Sequence, residues 1–285
     1  VISVDKQGPY GYVKSTENEL SQNDLTNGVY DTNSLNSIFA LGAGGFAFGN
    51  NGTKLYTVYY RNPYLYEIDL SVPYDLNSFG GVLTNWHEIT EVGSSFADLR
   101  SVNISPDGAK MFISTPDDEL IFSYTLTTPY DISTITYDNI SYSIPGVWPT
   151  SVKFKPDGTQ FVWFDSGAYG SLHTVDLGTP WDLSTATARG SVDFRNDLSI
   201  NTNNYNKYYA GWFTFNEDGT KIYFGDDRED GDSYDTGALD LSTPYDATTA
   251  SPSNTNELSV FASNNDQIYD VRFEANTVFA SSKLT

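Results

Sequence analysis

Apolar and polar residues alternate along this chain in short runs that are separated by turn residues. Ser101-Val102-Asn103-Ile104-Ser105 alternates, Pro106-Asp107-Gly108 turns, and Lys110-Met111-Phe112-Ile113-Ser114 returns. An alternating run, an Asp-Gly turn and a returning apolar run predict a β-hairpin. Leu120-Ile121-Phe122-Ser123-Tyr124-Thr125-Leu126 reads as a third strand and ends at Thr128-Pro129-Tyr130-Asp131, where Pro lacks a ladder donor and Asp suits a turn. Residues 135–144 alternate again as an outer strand. Four strands make one unit.

The unit recurs. Its turn glycine falls at Gly52, Gly108, Gly158 and Gly219, at intervals of 56, 50 and 61 residues. Its Pro-Tyr/Trp-Asp begins at Pro73, Pro129, Pro180 and Pro244, at intervals of 56, 51 and 64. Self-similarity at this period with strand residues throughout predicts a β-propeller, one four-stranded blade per repeat. Residues 271–279 look like the first hairpin of a further repeat that runs out of chain, and Val4 to Tyr10 overlays Ile68 to Tyr74. The expectation is therefore an all-β, five-bladed propeller of four antiparallel strands per blade, the last blade closed by both termini. As one domain over 1–285, its blades would cover about 39–90, 97–144, 147–195, 207–261, and 266–285 with 1–20. Residues 20–37 and 196–206, rich in Asn, Ser and Thr, read as long surface connections.

Charge narrows the partners. Fifteen Lys and Arg against 37 Asp and Glu give a net charge of −22, which repels phosphate backbones and anionic headgroups. Nucleic acid is excluded as a partner on this ground. No apolar run approaches the roughly 20 residues that span a bilayer, so membrane insertion by a helix is not expected. There is no Cys, which removes disulfides, thiolate metal sites and a Cys nucleophile. Val1 is not Met and lies in a strand-like stretch, so the chain reads as a piece of something longer.

Candidate chemistry lies where the repeats diverge, in the loops that enter each first strand and those that join second to third strands. The entry loops hold Asp98 and Arg100, Trp148, Tyr205, Tyr208, Tyr209 and Trp212, then Gln267, Tyr269 and Asp270, while the first blade offers only Gly42 to Gly45. Flat rings beside carboxylates and amides suit a sugar surface. In an aromatic-rich chain, however, the same residues also arise by chance. Asp226, Asp227, Glu229, Asp230, Asp232 and Asp235 crowd one loop of the fourth repeat. Calcium would relieve their repulsion, although the spacing departs from an EF-hand loop, and a solvated acidic loop is the other reading. Asp98 and Asp270 are the evident carboxylates for a glycosidase-like pair. His87 and His173, the two histidines, fall in repeat strands away from any hydrolase or zinc motif.

The phrases Ser105-Pro106-Asp107-Gly108-Ala109-Lys110-Met111-Phe112, Asp176 to Ala186, and Leu241-Ser242-Thr243-Pro244-Tyr245-Asp246 resemble a β-propeller repeat of secreted bacterial proteins and of bacteriophage virion or tail-associated proteins. The resemblance implies the blade and an extracellular or virion setting, and it implies no ligand. Gly11 stands where Asp follows the aromatic elsewhere, and Glu274-Ala275-Asn276 lacks the Asp-Gly turn. The expected function is a non-catalytic interaction module whose variable face binds a surface glycan or a protein partner, including other virion proteins. A purely structural virion or filament component and a glycoside hydrolase-like enzyme are the alternatives.

Overall fold

The computed structural model describes residues 10–14, 29–31, 43–59, 62–80, 85–93, 98–146, 149–166, 170–194, 196–198, 211–225, 236–253, 268–274 and 277–282. Its strands form a β-propeller. The first blade comprises β3 (Ala43–Gly49), β4 (Lys54–Tyr59), β5 (Asn62–Asp69) and β6 (Asn85–Glu88), and the second β7 (Ser101–Ile104), β8 (Lys110–Thr115), β9 (Leu120–Leu126) and β10 (Ile135–Ser143). The third is β11 (Pro149–Phe154), β12 (Gln160–Asp165), β13 (Ser171–Leu177) and β14 (Ala186–Asp193), and the fourth β15 (Trp212–Phe215), β16 (Lys221–Gly225), β17 (Thr236–Leu241) and β18 (Ala250–Pro252).

Those four blades, each antiparallel and each folded from one continuous stretch, are the ones that carry the full repeat. The expectation of a five-bladed propeller whose last blade is closed by both termini is corrected to four contiguous blades of four antiparallel strands each. At the chain ends β19 (Ile268–Glu274), β20 (Thr277–Ser282), β1 (Tyr10–Lys14) and β2 (Val29–Asp31) pair as a composite sheet in that order. Its third strand includes Tyr10–Lys14, whereas the overlay on Ile68 to Tyr74 puts Tyr10 at the turn that follows the third strand. Its outer strand lies beyond residue 20, inside the stretch read as a surface connection. The overlay failed because Tyr10-Gly11-Tyr12-Val13-Lys14 alternates as well as its upstream neighbour does, and Gly11 removes the Asp that punctuates the other repeats.

The blades stack through apolar layers, and neighbouring residues of one strand serve opposite layers. Met111 and Ile113 pack with Tyr56, Val58 and Leu65 of the first blade, while Phe112 between them joins Val152, Phe161 and Trp163 of the third. Burial on both faces explains why the second strands read as nearly unbroken apolar runs. Val162, Phe164 and Leu172 then meet Phe213, Ile222 and Leu239 of the fourth blade.

The two repeated motifs meet at one turn. Gly52, Gly108, Gly158 and Gly219 have φ of +81°, +71°, +73° and +71°, and a Cβ at any of them would run into the ring of Tyr74, Tyr130, Trp181 or Tyr245 respectively. Each ring residue also donates its backbone N–H to its glycine's carbonyl, at 2.9 to 3.0 Å in the first three and 2.8 Å in the fourth. The rings themselves sit at φ of 59° to 66°, a strained region for a bulky side chain. The following Asp131, Asp182 and Asp246 each accept from the N–H two residues on and so cap a single 3₁₀ turn.

Candidate axial site

The first strands β3, β7, β11, β15 and β19 lie beside one another in that order, with β19 returning to β3. Interblade apolar positions alternate along them with positions that face the axis. Five residues before each turn glycine stand Ala47, Asn103, Lys153 and Thr214, and Arg272 takes the matching place in β19. Gly44 and Gly45 let β3 close on the backbone leading into β7. A Cβ at Gly44 would strike the carbonyl of Leu99, and one at Gly45 the carbonyl of Arg100.

Polar side chains fill this axis. Asp270 meets the Lys153 ammonium, accepts the Phe46 N–H at 3.2 Å, and lies 3.5 Å from Arg272 Nε. The Arg272 guanidinium donates to the Val102 carbonyl at 2.6 Å and to Asn103 Oδ1 at 3.1 Å. Asn103 Nδ2 and Ser101 Oγ each donate to the Val152 carbonyl at 3.0 Å. Thr150 Oγ1 donates to the Gly211 carbonyl at 2.6 Å. At the entry end of the second blade, Arg100 Nε lies 2.7 and 2.8 Å from the two oxygens of Asp98, and the Asp98 N–H donates to Asp117 Oδ2 at 3.1 Å.

These are interior charges. Asp98 is 3 % exposed, Asp270 2 %, Lys153 5 % and Arg100 8 %. A charge removed from water costs several kcal/mol unless a partner of opposite sign and further hydrogen bonds compensate it. Each carboxylate here has a cation in contact.

Of the residues read as a binding rim, the structure brings Asp98, Arg100 and Asp270 to the axis but buries them. Trp212 is wholly buried in β15, with its ring against Gly225 of the next strand. Tyr269 belongs to β19 by backbone; its side chain lies outside the described residues. So do Trp148, Tyr205, Tyr208, Tyr209 and Gln267, and all six acidic residues proposed for calcium, at 226, 227, 229, 230, 232 and 235. Among the described residues no group of three or more His, Cys, Asp or Glu could hold a metal. His173 stacks flat on Trp163 at 3.9 Å, inside the third blade. The sequence reading missed Lys153 and Arg272. The available signal was a long cation between apolar neighbours, Val152-Lys153-Phe154 and Val271-Arg272-Phe273, at the repeat position that Asn103 and Thr214 occupy.

No protein-family model matches the chain, and no curated protein matches it either. Solved propellers do. A candidate 6-phosphogluconolactonase of Bacteroides fragilis superposes with a TM-score of 0.50 at 13 % identity, covering 79 % of this chain and 60 % of its own. A protein from Lactobacillus plantarum gives 0.48 at 12 %, over 76 % and 57 %. The periplasmic gluconolactonase of Pseudomonas aeruginosa gives 0.42 at 16 %, over 54 % and 40 %. The chain thus spans about three fifths or less of the length of these structures. The expectation of a non-catalytic module binding through an exposed rim is overturned on two counts. The described rim residues are interior, and the like-folded Bacteroides protein is named for an enzyme activity. The expectation that the chain is not an enzyme falls with it, and what the likeness shows of the chain is its fold, a β-propeller.

Proposed function

We propose that this propeller is a hydrolase that opens small cyclic esters of the sugar-lactone kind at the entry end of its axis, with Asp98 and Arg100 as the working pair. The observation that carries the reading is a carboxylate whose two oxygens both lie against the Nε of one guanidinium, carboxylate and cation both interior, at the start of an innermost strand. Buried ionisable pairs in such places are candidates for chemistry. The name of the Bacteroides fragilis propeller supports the substrate class.

In this reading Asp98 takes a proton from water as the water oxygen bonds to the acyl carbon. The Arg100 guanidinium holds the carbonyl oxygen while it becomes negative. Collapse breaks the ring C–O bond, and the proton passes to the departing alkoxide, leaving an open hydroxy acid. An extracellular setting, supported by the repeat motifs, belongs to the same proposal.

The test is acid release from glucono-δ-lactone and 6-phosphogluconolactone, followed in a pH-stat against the spontaneous rate. Enzyme should accelerate one of them, and Asp98→Asn should lose on the order of 10²-fold while melting as a folded protein. A rate equal to the spontaneous one on both lactones defeats the reading.

A further inference from the structure

We propose that Asp270 and Arg272 form an electrostatic clasp across the axis, which makes β19 the lock of the ring. The four contiguous blades grip one another through apolar layers, and each holds its strands together within one stretch of chain. The composite sheet is different, since its strands come from opposite ends of the chain. Once β1 detaches, the β19–β20 hairpin keeps its own pairing but loses its tie to the other end of the chain.

Two side chains of β19 reach three other blades. Asp270 holds the Phe46 N–H of the first blade through one oxygen and Lys153 of the third through the other. Arg272 holds the Val102 carbonyl and Asn103 of the second. Asp270 and Arg272 also lie within ion-pair distance of each other, so the two ties form one unit. The Asp98–Arg100 pair, by contrast, joins residues two apart in one segment.

Buried pairs respond asymmetrically to substitution: removing one partner strands a charge, whereas replacing both with apolar groups is often nearly neutral. Asp270→Asn and Lys153→Met should each lower the melting temperature by roughly 10 °C, and the double variant Asp270→Leu/Lys153→Met should regain much of that loss. In Asp270→Asn, amides of β19 and β20 should exchange at least tenfold faster, with those of β8 and β9 unchanged. Asp98→Asn should leave the exchange of β19 and β20 as it is. If Asp270→Asn does not fold, Arg272→Met is read by the same exchange. Single variants that melt within about 1 °C of the parent, or exchange in β19 and β20 that stays at the parental rate, would overturn the clasp.

Discussion

Trp181 shows how one residue stores strain to fix a turn. Its backbone sits at φ +62°, which costs energy for a bulky side chain, and its ring lies on Gly158, where no Cβ fits. Gly158→Ala therefore meets both a disfavoured φ and a blocked position. It is expected to destabilise by about 2–4 kcal/mol in denaturant titration. His173 carries a different kind of constraint. Burial against Trp163 holds its pKa below 6.5, opposed by Asp165, and Nε2 has no hydrogen-bond partner among the described residues. The unfolded chain then takes up the proton first, so this stability is present above pH 6.5 and is lost as pH falls below it. His173→Phe, which keeps the stack, should flatten the decline in melting temperature between pH 7 and pH 5.

At the scale of elements, the joints between blades are where single polar groups matter most. Glu67, fully buried in β5, accepts Lys54 Nζ at 2.5 Å and Asn85 Nδ2 at 3.2 Å through one oxygen, and the Ile132 N–H of the second blade at 2.9 Å through the other. Glu67→Ala takes the acceptor from the Asn85 amide and the Ile132 N–H, while Lys54 keeps Asp69 at 2.6 Å; it should cost about 2–4 kcal/mol, measured as a shift in the unfolding midpoint. The cap at Asp182 is half-buried and serves its own 3₁₀ turn, so Asp182→Ala should cost about 1 kcal/mol. Asp246 does more, because Arg189 of the third blade also reaches it at 2.9 Å. Its loss should exceed that of Asp182. The strands of the four contiguous blades were legible because period-two alternation and the Asp-Gly and Pro-aromatic-Asp signals agree on every boundary. The composite sheet was not, because Val29–Asp31 is too short to show a period and sits among turn-forming residues.

For the whole molecule, the ring depends on pairing between the two ends of the chain. Val13 pairs with Val278 and Tyr10 with Ser281, so deleting residues 1–31 removes two strands and bares the β20 edge. The expected result is a broadened, lower unfolding transition together with concentration-dependent association, since an open strand edge recruits other chains. Sequence pattern reached the propeller architecture and the axial Asp98 and Asp270. It placed them on an exposed rim because alternation assigns a residue to a face and says nothing of what stands opposite. Lys153 and Arg272, which decide how Asp270 is held, come from distant repeats, and only the closed ring brings them together.

The ring laid over a left-handed glycine has a consequence for how such a chain can be inherited. Gly108, Tyr130 and Asp131 all lie in one segment and make the ring-on-glycine contact, the bond between their backbones and the 3₁₀ cap among themselves. A gene fragment encoding that segment carries its own punctuation, so a duplicate arrives with its turns already specified. The fragment's remaining positions are then free to diverge, provided their apolar faces still match the blade on either side.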